Sequence, residues 1–205
     1  MKLFWSSRSP FVRKVMVVAH ETGVAGRIVC ERTIVAAANP NRELMTLNPL
    51  GKLPTLLLDD GAALYDSRVI CEFLDTLHAG RRLFPVDPAR RVDALRRQAL
   101  GDGAMDMLIL RLSERARPEA RRSPELMAGF ALKRDAILAA LEAMAPALAA
   151  IPYDIGHVAI GCALSYLDFR FAEDSWRSGR PALAAWHADF AARPSVAATE
   201  HVDAY

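Results

Sequence analysis

Three short segments early in the chain carry the residue types that thiol and anion chemistry uses. The first, Ser6-Ser7-Arg8-Ser9-Pro10-Phe11, groups hydroxyls ahead of a Ser-Pro pair that reads as the N-cap and first residue of a helix. A helix N-terminus offers unpaired N–H groups and the positive end of its dipole, so an anion or a thiolate is favoured beside it. Taken alone, Ser9 is accounted for as a cap. The second segment, Asn48-Pro49-Leu50-Gly51-Lys52-Leu53-Pro54-Thr55, sets a proline at the entry of an apolar strand, where it cannot donate to a ladder. A cis Leu53–Pro54 bond would turn the Leu53 N–H and C=O outward to pair with a peptide-like ligand as an added strand; a plain strand-entry turn is the alternative. The third, Asp66-Ser67, opens a helix for which Ser67 is the expected N-cap. A carboxylate and a hydroxyl there also suit an amino-acid head group, its ammonium on Asp66 and its carboxylate on Ser67 and neighbouring N–H groups.

The elements that must position these residues follow from periodicity and punctuation. Lys2 to Trp5 reads as a strand. Val12, Val15, Met16 and Ala19 follow Ser9-Pro10 at helical spacing, with Gly23 as the stop. Arg27 to Ile34 is a second strand, and Asn39 to Asn48 holds a short irregular helix. Thr55 to Leu58 and Ala62 to Tyr65 form a hairpin around Asp60-Gly61. Ile70, Phe73, Leu74 and Leu77 then mark an amphipathic helix. The order β-α-β-α-β-β-α requires one parallel crossover and one antiparallel hairpin, hence a mixed sheet.

Gly80 and Pro85 break the chain in a linker at 79–87, beyond which everything reads helical. Asp87-Pro88 and Ser123-Pro124 repeat the cap-plus-proline signal, and Asp154 starts a nearly all-apolar helix, Ile155 to Leu167, of the kind that is buried. Pro181 to Ala191 and the stretch after Pro194 close the chain. The expected fold class is α/β plus all-α, with an α/β domain at 1–78 and a helical domain at 88–205.

Composition removes other classes. The 26 basic and 24 acidic residues leave a net charge of +2, too balanced for a dedicated nucleic-acid binder. No apolar run is long enough to span a membrane. The histidines His20, His78, His157, His187 and His201 do not pair at ligand spacing, so no metal is expected. Phosphate-loop glycines and a G-x-S-x-G elbow are absent. Cys30, Cys71 and Cys162 are widely spaced and sit among apolar residues, as core hydrophobes of a chain in a reducing, cytoplasmic compartment.

The series S-x-S-P-F-V-R-K-V, N-P-L-G-K-L-P-T-L and Y-D-S-R-V-I-C-E-F-L-D resembles the cytosolic glutathione S-transferases, and the second half, with D-P-A-R-R and D-G-A-M-D, resembles their bacterial branch. The resemblance spans essentially the whole chain. It implies a thioredoxin-like N-terminal domain, a helical C-terminal domain, a homodimer, and glutathione as co-substrate with no permanently bound cofactor. It places Ser9 at the catalytic Ser or Cys position, Leu53 where a backbone pairs with the cysteinyl unit, and Asp66 and Ser67 at the γ-glutamyl end. Lys52 falls near the glycyl carboxylate. One departure is that the buried helix starts with Asp154 and His157 where the family has Ser or Thr and Asp, so the reciprocal half of its capping box is expected to be missing.

A hydroxyl donating to a thiolate supplies about 1.5–3 kcal/mol and a helix N-terminus about 0.3–2 kcal/mol. Together these lower a thiol pKa of about 8.5 enough to ionise it near neutrality. Ser9 is thus expected to donate a hydrogen bond, not to act as a base, with Ser7 as its rival. Without a cysteine there, disulfide exchange is disfavoured. A small hydrophobic electrophile is expected in a pocket between the domains lined by Trp5, Phe11, Met105, Leu108 and Arg111. A glutathione-binding protein of the same fold without catalysis is the competing reading. For the dimer, the Arg90 to Arg97 stretch facing Asp66, Glu72 and Asp75 is the expected polar contact.

Overall fold

The computed structural model describes residues 1–203 of the chain. They form two compact units, Met1–Asp87 together with the segment from Pro194 onward, and Pro88–Arg193. The first unit runs β1 (Lys2–Trp5), α1 (Pro10–Glu21), β2 (Val29–Arg32), α2 (Arg42–Leu47), β3 (Thr55–Leu57), β4 (Ala63–Leu64) and α3 (Ser67–Thr76). The second contains α4 (Pro88–Arg115), α5 (Pro124–Ala150), α6 (Ile155–Arg170) and α7 (Pro181–Ala191). A last short helix, α8 (Pro194–Ala197), returns to the first unit.

The sheet order is β2-β1-β3-β4. β1 and β2 are parallel, Leu3 opposite Cys30, and α1 makes the crossover such a pair requires. β3 is antiparallel to β1, Leu3 opposite Leu56, and to β4, Leu56 opposite Leu64. Gly61 takes the positive φ of 90° that the hairpin turn between them demands. α1 packs on α3 through fully buried Val15, Val18, Ile70 and Leu74, all but Val18 in the helical stripes read from the sequence. Cys71 and Cys162 are core, but Cys30 is exposed. β2 is the sheet's edge strand and carries little cover, so its apolar residues do not imply burial there.

Residues 79–87 are not a free linker. Leu83 and Phe84 are buried, and their amides donate to the Asp75 carboxylate at 2.8 and 3.1 Å. In the helical unit α6 is buried from Ile155 to Leu167. It can approach its neighbours because glycines face them: a Cβ on Gly101 would lie 2.4 Å from the Ala159 carbonyl carbon, and one on Gly161 would lie 2.3 Å from the Phe190 ring.

The start of α6 corrects one expectation. Asp154 accepts from Gly156 N at 2.9 Å and His157 N at 3.3 Å, and the Asp154 amide donates to His157 Nδ1 at 3.1 Å. The capping box is therefore complete, an imidazole nitrogen standing in for the carboxylate. Nδ1 also lies 2.8 Å from Asp154 Oδ1, and Nε2 donates to the Leu148 carbonyl at 3.0 Å. Buried Arg97 joins the cluster with Nη2 2.6 Å from Asp154 Oδ2.

The closing segment corrects another. The sequence reading assigns it to the helical domain, yet it packs along α1, where Arg13 Nη2 donates to the Val196 carbonyl at 3.3 Å and the Ser195 hydroxyl donates to Glu21. Periodicity identifies a helix but not the body it packs on.

Candidate functional site

The sheet register explains why three separate segments share a locality. Phe4 lies opposite Thr55 and Leu56 opposite Leu64. One step further, the exit of β1 toward Ser6, the entry of β3 at Leu53–Pro54 and the exit of β4 at Tyr65–Asp66 come to the same end of the sheet. This is the C-terminal end of the parallel pair, with the N-termini of α1 and α3 following directly.

Ser9 caps α1, its Oγ accepting from Val12 N at 3.2 Å. Accepting that bond leaves the hydroxyl proton uncommitted among the described residues. Ser7 is different: its hydroxyl donates to the Val202 carbonyl at 2.8 Å. A hydroxyl has one proton, so Ser7 is already engaged.

The Leu53–Pro54 bond is cis. Among the described residues, the Leu53 N–H and C=O enter no hydrogen bond with the rest of the chain. The loop is held from beneath by a buried pair the sequence reading did not single out: Asn48 Nδ2 donates to Thr55 Oγ1 at 2.8 Å and to the Lys52 carbonyl at 3.3 Å. Thr55 Oγ1 donates to the same carbonyl at 2.9 Å, and Asn48 Oδ1 accepts from Leu50 N at 3.0 Å. An Asn seven residues before a Thr at a strand entry was the only signal available. The Lys52 side chain is exposed.

Asp66, not Ser67, is the N-cap of α3, its Oδ1 accepting from Arg68 N at 2.9 Å. Ser67 is the first helical residue and is buried, and Asp66 is exposed. The first-turn amides of α3 remain oriented toward the sheet end, as at any helix start.

The expected electrophile positions fall on both units. Trp5 and Phe11 are half-buried in the first unit, Trp5 at the exit of β1 and Phe11 in the first turn of α1. Met105 and Leu108 are 0% and 1% exposed on α4 and offer no open surface. Arg111 is spent on both oxygens of Asp174 and stacks 4.2 Å from the Phe171 ring centre. Helical spacing on a long amphipathic helix does not distinguish its core face from a lining face.

Comparison with known proteins places this arrangement. A profile of the glutathione S-transferase N-terminal domain matches residues 8–77. The chain is 31% identical to the uncharacterised GST-like protein YibF of Escherichia coli K12 over 98% of each chain. The chain belongs to the glutathione S-transferase family. A glutathione transferase family member from Pseudomonas fluorescens Pf-5, crystallised with bound glutathione, superposes with a TM-score of 0.94 at 41% identity over 98% of both chains. A second structure of a family member from that organism, with bound S-(propanoic acid)-glutathione, has a TM-score of 0.90 at 41% identity, covering 98% of this chain and 100% of the other. The mixed four-stranded sheet is thus the thioredoxin-like domain of a bacterial glutathione S-transferase family member, followed by its helical region.

Proposed function

We propose that this chain is a glutathione transferase that joins the glutathione sulfur to a small hydrophobic electrophile. The observation that carries the reading is the uncommitted Ser9 hydroxyl at the sheet end where Leu53 and Asp66 also arrive. In this reading the Leu53 N–H and C=O pair with the cysteinyl unit in strand fashion, which aims its sulfur at the start of α1. Asp66 takes the γ-glutamyl ammonium, and Ser67 with the first-turn amides of α3 takes its carboxylate. Lys52 reaches the glycyl carboxylate.

Ser9 donates to the sulfur and stabilises the thiolate, the thiol proton leaving to solvent. The sulfur lone pair then forms the C–S bond as the electrophile's leaving group departs with its electrons, or as an activated double bond takes them up and is protonated by water. A carbon substituent on the sulfur, as in the S-(propanoic acid)-glutathione bound by the Pseudomonas relative, is what such chemistry produces.

Thiolate absorbance of bound glutathione, titrated with pH, tests this. Ser9→Ala should raise the thiol pKa by about one unit or more, since each unit is about 1.4 kcal/mol of lost preference for the charged form. An unchanged pKa, or a larger shift in Ser7→Ala, would remove Ser9 from the role. A second reading, glutathione binding without turnover, is favoured by the burial of Met105 and Leu108 and the engagement of Arg111. Conjugation assayed with a chloronitroarene separates the two: tight glutathione binding with no conjugation supports the binder.

A further inference from the structure

The segment after α7 runs back along α1, opposite to it in direction. The Ser195 hydroxyl donates to Glu21 in the last turn of α1, and the Val196 carbonyl accepts from Arg13 nearer its middle. His201 to Asp203 then reach the turn ahead of the helix. There the Ser7 hydroxyl donates to the Val202 carbonyl at 2.8 Å, and Arg8 Nη2 donates to the Asp203 carbonyl at 2.7 Å. Arg8 Nε lies 2.9 Å from Asp203 Oδ1. The Ser7 carbonyl faces His201 Nδ1 at 3.1 Å, and as a carbonyl only accepts, Nδ1 is the donor.

The turn's own bonds are weaker. Arg8 N to Ser6 Oγ and Ser9 N to Ser6 O are both 3.3 Å, beyond the usual N–H···O range. The tail's contacts to Ser7 and Arg8 are shorter than these two bonds and fasten the turn from nearly two hundred residues away. The tail also selects between hydroxyls, because it takes the Ser7 proton and leaves that of Ser9 available.

We infer that residues 201–203 form a clasp that positions the Ser9 turn for the glutathione thiol, with Ser7 and Arg8 as positioning residues acting through it. This rests on the reading of Ser9 as thiolate donor. When the clasp is absent the turn loosens and the Ser9 hydroxyl loses its fixed place at the sulfur.

The test compares the full chain, a chain ending at Glu200, and full-length Arg8→Met and Arg8→Lys, with glutathione as the probe. Three quantities are measured: affinity by calorimetry, the pKa of the bound thiol, and amide exchange in residues 6–9. Loss of the clasp, by truncation or Arg8→Met, should weaken binding about three- to tenfold, the effect of one or two net hydrogen bonds. It should also raise the thiol pKa by about half a unit or more, and speed exchange in the turn. Arg8→Lys, which keeps the charge facing Asp203, should recover part of each. Ser9→Ala should matter less in the truncated chain, where the loosened turn already withholds that hydroxyl from the sulfur. Wild-type affinity and thiol pKa in both clasp variants would overturn the inference even if Ser9→Ala shifts the pKa. Weaker binding with an unchanged thiol pKa would overturn it too, since that is all a loosened surface would produce. If Ser9→Ala shifts nothing while the clasp variants still weaken binding, the Ser9 reading is what has failed. Should truncation abolish a cooperative melt, Arg8→Met decides.

Discussion

Two serines two positions apart have different chemical prospects because of what each already holds. Ser7 spends its proton on a carbonyl near the end of the chain, whereas Ser9 receives a bond from Val12 and keeps its own. Asp66 also has two duties, as the cap of α3 and as the proposed ammonium partner. They can be separated by Asp66→Asn, since Asn caps as well as Asp but carries no charge. Glutathione affinity should then fall by about 1.5–3 kcal/mol, the worth of a charged hydrogen bond, with the melting temperature nearly unchanged. Calorimetry paired with thermal melts checks this; full affinity in Asp66→Asn would show that the carboxylate charge has no part in binding.

At the scale of elements, the start of α6 concentrates polar energy inside an otherwise apolar helix. Burial alone would push the Asp154 carboxyl up, but the hydrogen bonds and charges of His157 and Arg97 outweigh it and hold the group below its ordinary value. Asp174 is likewise held low by Arg111 and Arg134 against the effect of its burial. Asp154→Ala removes a cap and strands the Arg97 guanidinium, 10% exposed at its side chain, and should destabilise the chain by about 3–5 kcal/mol in denaturant unfolding. A loss under about 1 kcal/mol would mean that the cap alone matters. The pH dependence has a definite sign. A carboxylate with a depressed folded pKa stabilises the fold above its unfolded value, about 3.9, and loses that contribution as pH falls toward the folded one. Stability should therefore hold steady from neutrality to about pH 5 as far as these two groups govern it, then drop below about pH 4. Asp154→Asn should flatten the acid limb of a Tm-versus-pH series.

For the whole molecule, we propose the homodimer the family resemblance implies. Its expected polar contact needs revision, because Asp75 is buried under Leu83 and Phe84 amides and Arg97 is paired to Asp154. Arg90, Asp66 and Glu72 are exposed and Arg91 is half-buried. A stable two-fold contact buries more than about 1,000 Å² and is self-complementary. Light scattering at micromolar concentration should give twice the 22.5 kDa chain mass. Charge reversal at Arg90 and Arg91 should lower that mass toward the monomer value, and a monomer in the wild-type protein, glutathione present, would refute the assembly.

What the sequence determined by itself was local and periodic. Ser-Pro starts, Gly61 in its hairpin, the stripes of α1 and α3 and the all-apolar α6 follow from residue types within a few positions of one another, where backbone sterics and hydrophobic period act directly. The three segments of the candidate site were legible because each opens or closes an element, and the strand order then brings them to one end of the sheet. Only the tertiary structure decided which face of α4 is core, that His157 completes a cap, and that Asn48 and Thr55 brace the Leu53 loop. It also decided that the tail engages Ser7 and spares Ser9. Each of those outcomes depends on which partner a polar group or an apolar face meets, often across a hundred residues or more. A hydroxyl's single proton and a helix's buried stripe are allotted by packing, which no local window of sequence specifies.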